Sequence, residues 1–144
     1  TIRQCFKENP QRVKAIAKIN KHGADIATSG LIEFGSSKRA TFDISFECTR
    51  RSEFEAFGAL GRVKCPTVWQ PDDKQAKIII NTESSGLTEE VVPAANHFVL
   101  EINHFNKVIS SDIVPKLSNE DAIWNAITLE SIQQSIKNDG WANL

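Results

Sequence analysis

Residues 40–48 are the strongest constraint on what this chain can fold into. Ala40, Phe42, Ile44, Phe46 and Cys48 alternate with Thr41, Asp43, Ser45 and Glu47. Successive side chains of a strand point to opposite faces, so this run predicts a half-buried antiparallel strand with one solvated face. It also predicts Cys48 as a buried structural thiol. Weaker patterns place strands near 12–20, 24–34, 62–69, 74–82 and 96–104 around the main one at 39–49. In Arg12–Lys21, Val13, Ala15, Ala17 and Ile19 face one way and Arg12, Lys14 and Lys18 the other. A helix capped by Asn9 and opened by Pro10 is the competing reading of that segment. Ser52 with Glu55 resembles a capping box, and Phe54, Phe57 and Leu60 give a helical stripe, so a short helix is predicted near 52–60. Ser118 with Asp121 predicts another helix start. Asn138-Asp139-Gly140 predicts its end, which places C-terminal helices near 119–138.

The resulting order predicts an α+β fold built on an antiparallel, strongly twisted sheet. Strand, strand, strand, short helix, strand, strand is also the order of a small OB-like barrel. At 144 residues the chain fits a single domain. A sub-boundary falls near 83–88, where the charge balance turns over. Residues 1–82 carry 14 basic and 9 acidic side chains, residues 83–144 carry 3 and 9. The formal net charge of −1 therefore conceals a basic β-rich half and an acidic half.

Cysteine usage bounds the compartment. The three cysteines are an odd number with no close pair, which predicts reduced thiols and a cytoplasmic location, with no metal site. No apolar run approaches the roughly 20 residues that span a bilayer, so no membrane association is expected. The chain contains no Met, and the small Thr1 fits a processed start or a trimmed fragment equally.

No catalytic constellation stands out. Asp72-Asp73-Lys74 matches a D-x-K string, but it follows Pro71 in an expected turn. Cys48 or Cys65 with His97 or His104 would form a dyad only by coincidence of folding, and no glycine elbow accompanies either cysteine. No cofactor is implied, enzymatic activity is doubtful, and a small hydrolase is the least favoured reading.

Two binding readings remain. The leading one is a non-catalytic binding protein acting by protein–protein contact, of inhibitor or immunity/antitoxin-like type. Its anchors would be Trp124 and Trp141, because an exposed Trp is a common interface anchor. Packing of Trp141 back on the last helix is the structural alternative. The second is a nucleic-acid-binding module whose barrel places Arg12, Lys14 and Lys18 beside Arg62, Lys64 and Lys77 on one basic face. Homo-oligomer formation through an edge strand near Pro66 or 96–104 is a further expectation.

Overall fold

The structure is a computed structural model that describes residues 2–68, 74–110 and 113–144. Trp69 and the Gln70–Asp73 turn, with its Asp72-Asp73 pair, lie outside the described residues. The chain falls into two compact units, residues 1–48 with 116–144, and residues 49–115. Each holds a four-stranded antiparallel sheet.

The first unit opens with α1 (Ile2–Phe6), followed by β1 (Pro10–Ile19), β2 (Asp25–Phe34) and β3 (Arg39–Ser45). The strand reading of residues 12–20 is therefore the one realised. Asn20 shapes the β1–β2 turn, its Oδ1 accepting from the backbone N–H groups of His22 and Ala24 at 2.8 and 3.0 Å. Val13, Ala15, Ile32 and Phe34 are buried, while Arg12, Lys14, Ile16 and Lys18 are exposed on the other face. Phe6 meets Phe34 edge-on, with ring centroids 4.9 Å apart. Alternating burial holds in β3 as far as Asp43, but Ile44 is exposed, and Phe46 and Cys48 lie beyond the strand and are exposed. Cys48 is thus not the buried thiol that its spacing predicts, because the sheet ends before reaching it.

The second unit holds β4 (Phe54–Gly58), β5 (Gly61–Cys65), β6 (Ala76–Thr82), β7 (Gly86–Val92) and α2 (His97–Ile109). Two element assignments change here. The helix expected near 52–60 is strand β4. Pairing with β5, Glu55 opposite Lys64 and Ala56 opposite Val63, outweighs a capping-box signal that acts only locally. Gly61 makes this hairpin feasible. A Cβ there would stand 2.4 Å from the Asn81 carbonyl oxygen, so β6 approaches as only glycine permits. The strand expected near 96–104 is helix α2. Phe98 and Ile102 fit period two, yet with Phe105 and Ile109 they also fit a helical stripe, and Asn96 caps it by accepting from Val99 N–H at 3.1 Å. Residues 83–88 contain the turn between β6 and β7.

The chain then returns to the first unit as α3 (Asn119–Asn138) and β8 (Ala142–Asn143). Ser118 caps α3 and Asp139 ends it in the left-handed conformation at φ 49°. Along α3, Trp124, Ile127, Ile132 and Ile136 are half-buried, and Ile132 packs against the core. Ser131 and Ser135 are buried while Ile123 and Leu129 are more than half exposed. Small side chains let the helix lie close on β1, and Ser135 satisfies a sheet donor: its Oγ accepts from Ala15 N–H at 2.9 Å and donates to the Gly140 carbonyl at 2.5 Å. β8 then pairs with β1, Ala142 opposite Val13.

The sheet orders are β3-β2-β1-β8 and β4-β5-β6-β7. β1 pairs with β2 and β8, not with β4 and β5, so the pairing of an OB-like barrel is not found among the described residues. The α+β class with antiparallel sheets stands.

Ser135→Ala is expected to lower stability by about 1–3 kcal/mol, because the Ala15 N–H is left buried without an acceptor. A fall in the urea midpoint at constant m would register it. Gly61→Ala is expected to cost clearly more than Gly58→Ala, since nothing lies within 4 Å of a Cβ at Gly58. Paired urea titrations of the two variants compare them directly.

Candidate functional site

The open face of the first sheet gathers part of the basic set. Arg12, Lys14 and Lys18 project outward together, as their alternation with Val13 and Ala15 requires. Arg62, Lys64 and Lys77 belong to the second sheet, on β5 and β6, so the six cations do not form the single expected strand face.

Most of these charges have carboxylate partners nearby. Arg12 Nε donates to Glu33 at 2.6 Å and Lys18 Nζ to Glu47 at 2.6 Å. Arg62 lies 3.7 Å from Glu55, Lys64 3.2 Å from Glu53 and Lys77 2.9 Å from Glu89. Lys14 makes no ion pair among the described residues. Each exposed pair adds only about 0–1 kcal/mol to stability, but it removes the uncompensated charge that phosphate binding would use.

Trp141 follows the left-handed end of α3, and the Arg12 guanidinium stands 4.4 Å from its ring centroid. With 41% of its surface exposed, Trp141 is held against β1 while keeping an open side. Trp124 is half-buried on α3, where its carbonyl accepts from the Thr128 hydroxyl at 2.6 Å. The two tryptophans therefore differ in role, and only Trp141 belongs to the open β1 face.

A polar cavity of about 320 Å³ opens where α1 meets the start of α3. Arg3 organises it. Nη1 donates to Asp121 Oδ1 at 2.5 Å and to the Asp121 carbonyl at 3.0 Å, while Nε and Nη2 reach Asn9 Oδ1. Lys38 pairs with Glu8 Oε1, and Glu8 Oε2 is buried without a hydrogen-bond partner. Sequence reasoning passed over this cluster, because residues 1–10 show no periodicity and Arg3 and Glu8 find their partners Asp121 and Lys38 118 and 30 positions away. In the second unit, Phe57, Arg62, Asn81 and Thr82 border a shallow groove of about 350 Å³.

The thiol–imidazole pairs have no support. Cys5 and Cys48 are exposed, Cys65 is half-buried on β5, and His97 stacks on Phe98 at 4.1 Å between ring centroids. Among the described residues no group of three His, Cys, Asp or Glu side chains could hold a metal ion, and no helix is long and apolar enough to cross a membrane.

The two longer helices start in ways that do not suit a dinucleotide. A pyrophosphate sits on free N–H groups at a helix N-terminus, reached through a glycine turn. At α2 the Asn96 side chain already takes the Val99 N–H. At α3 the Ser118 side chain takes the Asp121 N–H, and Glu120 and Asp121 place negative charge in the first turn. Among the described residues no glycine turn precedes either helix start.

No protein-family model matches this chain, and no curated protein sequence does either. Solved structures do. An aldose-aldose oxidoreductase from Caulobacter crescentus, solved with glycerol, superposes at a TM-score of 0.81 over 99% of this chain and 44% of its own, at 16% identity. A 3-ketoreductase from Actinomadura kijaniata, in complex with TDP-benzene and NADP, gives 0.77 over 89% and 41%, at 18% identity. A putative NADPH-dependent oxidoreductase from Desulfitobacterium hafniense gives 0.75 over 94% and 42%, at 14% identity. The chain thus spans less than half the length of each. This overturns the expectation of a non-catalytic binding protein of inhibitor or immunity/antitoxin-like type, and with it the OB-like nucleic-acid module. The fold recurs inside oxidoreductase chains, and no closed barrel is found among the described residues.

Trp141→Ala and Arg12→Ala are expected to couple by about 0.5–1 kcal/mol in a double-mutant cycle of urea stability, the scale of an exposed cation–π contact.

Proposed function

We propose that this chain is the sheet-bearing portion of an NAD(P)H-dependent oxidoreductase acting on a carbohydrate hydroxyl or carbonyl. The observation that carries this reading is the likeness over 99% of the chain to less than half of an aldose-aldose oxidoreductase. Support for the cofactor class comes from the 3-ketoreductase, solved with NADP. In this reading dinucleotide binding falls to polypeptide other than these 144 residues, consistent with helix starts already capped by Asn96 and Ser118.

Nicotinamide fluorescence tests the assignment. NADPH emission is expected to stay unchanged on adding the 144-residue chain. It is expected to change on adding the polypeptide made from the whole gene, which should also oxidise NADPH when a keto sugar is supplied. Binding of NADPH by the 144-residue chain itself, or no binding by the whole-gene product, would refute the reading.

A further inference from the structure

We propose that the groove on the second sheet is a binding site for a single sugar ring, an inference that rests on the function proposed above. Strand register assembles it. Phe57 on β4 stands opposite Arg62 on β5, and Arg62 opposite Asn81 on β6. Directly opposed residues of an antiparallel ladder share a face, so ring, guanidinium and carboxamide form one row across three strands. Glu83, in the turn after β6, borders the same groove. That turn is held by Thr82, whose hydroxyl accepts from Ser85 N–H at 3.1 Å. Gly58 borders the groove without filling it. The volume of about 350 Å³ is at the small end of small-molecule sites.

The groups of this row are available to a ligand. Phe57 is 84% exposed. The Asn81 and Glu83 side chains make no hydrogen bond or ion pair among the described residues. Arg62 has Glu55 as a neighbour at 3.7 Å, too far for a hydrogen bond, so its donors stay open. The next row of the same face, Glu55, Lys64, Ile79 and Glu89, offers no such set. It holds no aromatic ring, and Lys64 and Glu89 are already in ion pairs with Glu53 and Lys77. On the first sheet, Trp141 already carries the Arg12 guanidinium on its ring. The chemistry of the groove selects the ligand. One cation and one carboxylate border it, so it favours neither an anion nor a cation. A wholly apolar ligand would strip water from Arg62, Asn81 and Glu83 without replacing their hydrogen bonds. A sugar ring meets both demands. Its C–H face lies on the Phe57 ring, while hydroxyls along its edge accept from Arg62 and the Asn81 amide and donate to Glu83.

Titration of the 144-residue chain with D-glucose, followed by amide chemical shifts, tests the site. Amides of residues 57–62 and 81–83 are expected to shift. The dissociation constant should be about 1–10 mM, the strength that roughly a dozen ligand atoms reach on an open surface. Phe57→Ala and, separately, Asn81→Leu are expected to weaken binding about tenfold while leaving amides outside the groove in place. No shift of these amides at about 100 mM glucose overturns the site, as do shifts that neither substitution diminishes. Equal shifts with inorganic phosphate assign the groove to anions and overturn it too. NADPH oxidation by the whole-gene product reports on the function separately. Turnover of a keto sugar without glucose-dependent shifts at the groove overturns the site and leaves the functional reading standing. Glucose-dependent shifts at the groove with no NADPH bound by the whole-gene product support the site and overturn that reading.

Discussion

The buried hydroxyl of Ser135 is the joint on which the first unit depends. It accepts from Ala15 N–H on β1 and donates to the Gly140 carbonyl past the end of α3. One side chain thus fixes the helix to the sheet and fixes the chain reversal that follows the helix. That reversal delivers Ala142 to the edge of β1 opposite Val13, and Leu144 N–H then bonds the Gln11 carbonyl at 2.9 Å. Without a partner for Ala15 N–H, the edge of β1 would carry a buried open donor where β8 has already ended. The small size of Ser131 and Ser135 allows the close approach; larger residues would hold α3 away from the strand.

Electrostatics explain why the basic appearance of residues 1–82 does not become a binding face. The cations and carboxylates interleave on neighbouring strands, so Arg12 finds Glu33 and Lys77 finds Glu89 across ladders. Of the six expected site cations, all but Lys14 are paired with carboxylates, although the excess of basic side chains in residues 1–82 remains. The remaining aromatic feature of that face, Trp141 against Arg12, is a local contact as much as an exposed one. The helix starts argue in the same direction from the opposite sign. Where an anionic cofactor would need free donors, capping side chains and the acidic residues Glu120 and Asp121 are already in place.

Much of the first unit was legible in the residues. The alternation of Val13, Ala15 and Ala17 and of Ala40 and Phe42 marked strands. Ser118 and Asn138-Asp139-Gly140 marked both ends of α3. The second unit was less so, and for identifiable reasons. Phe54 and Phe57, three apart, read as a helical stripe, whereas in β4 they point to opposite faces, and only the pairing with β5 decides between the two. Phe98, Leu100 and Ile102 read as a strand when the window closes at His104, and as a helix when Phe105 and Ile109 are included. β7 carries no strand signal, because Leu87 to Val92 do not alternate apolar with polar side chains, and all of them are exposed. As for the site, the outward set of Arg12, Lys14 and Lys18 was visible, but the Arg3–Asp121 and Lys38–Glu8 pairs join segments that no local pattern connects.

By itself the sequence determined local geometry: the period-two strands and the caps of α3, since these depend on a few adjacent side chains. The tertiary structure alone decided which strands pair, that β1 meets β8 instead of closing a barrel, and which face of α3 is buried. It also left α2 with no buried residue. The reason is physical. Pairing and burial are set by surfaces brought together from distant parts of the chain, and their energies exceed the fractions of a kcal/mol by which local propensities differ.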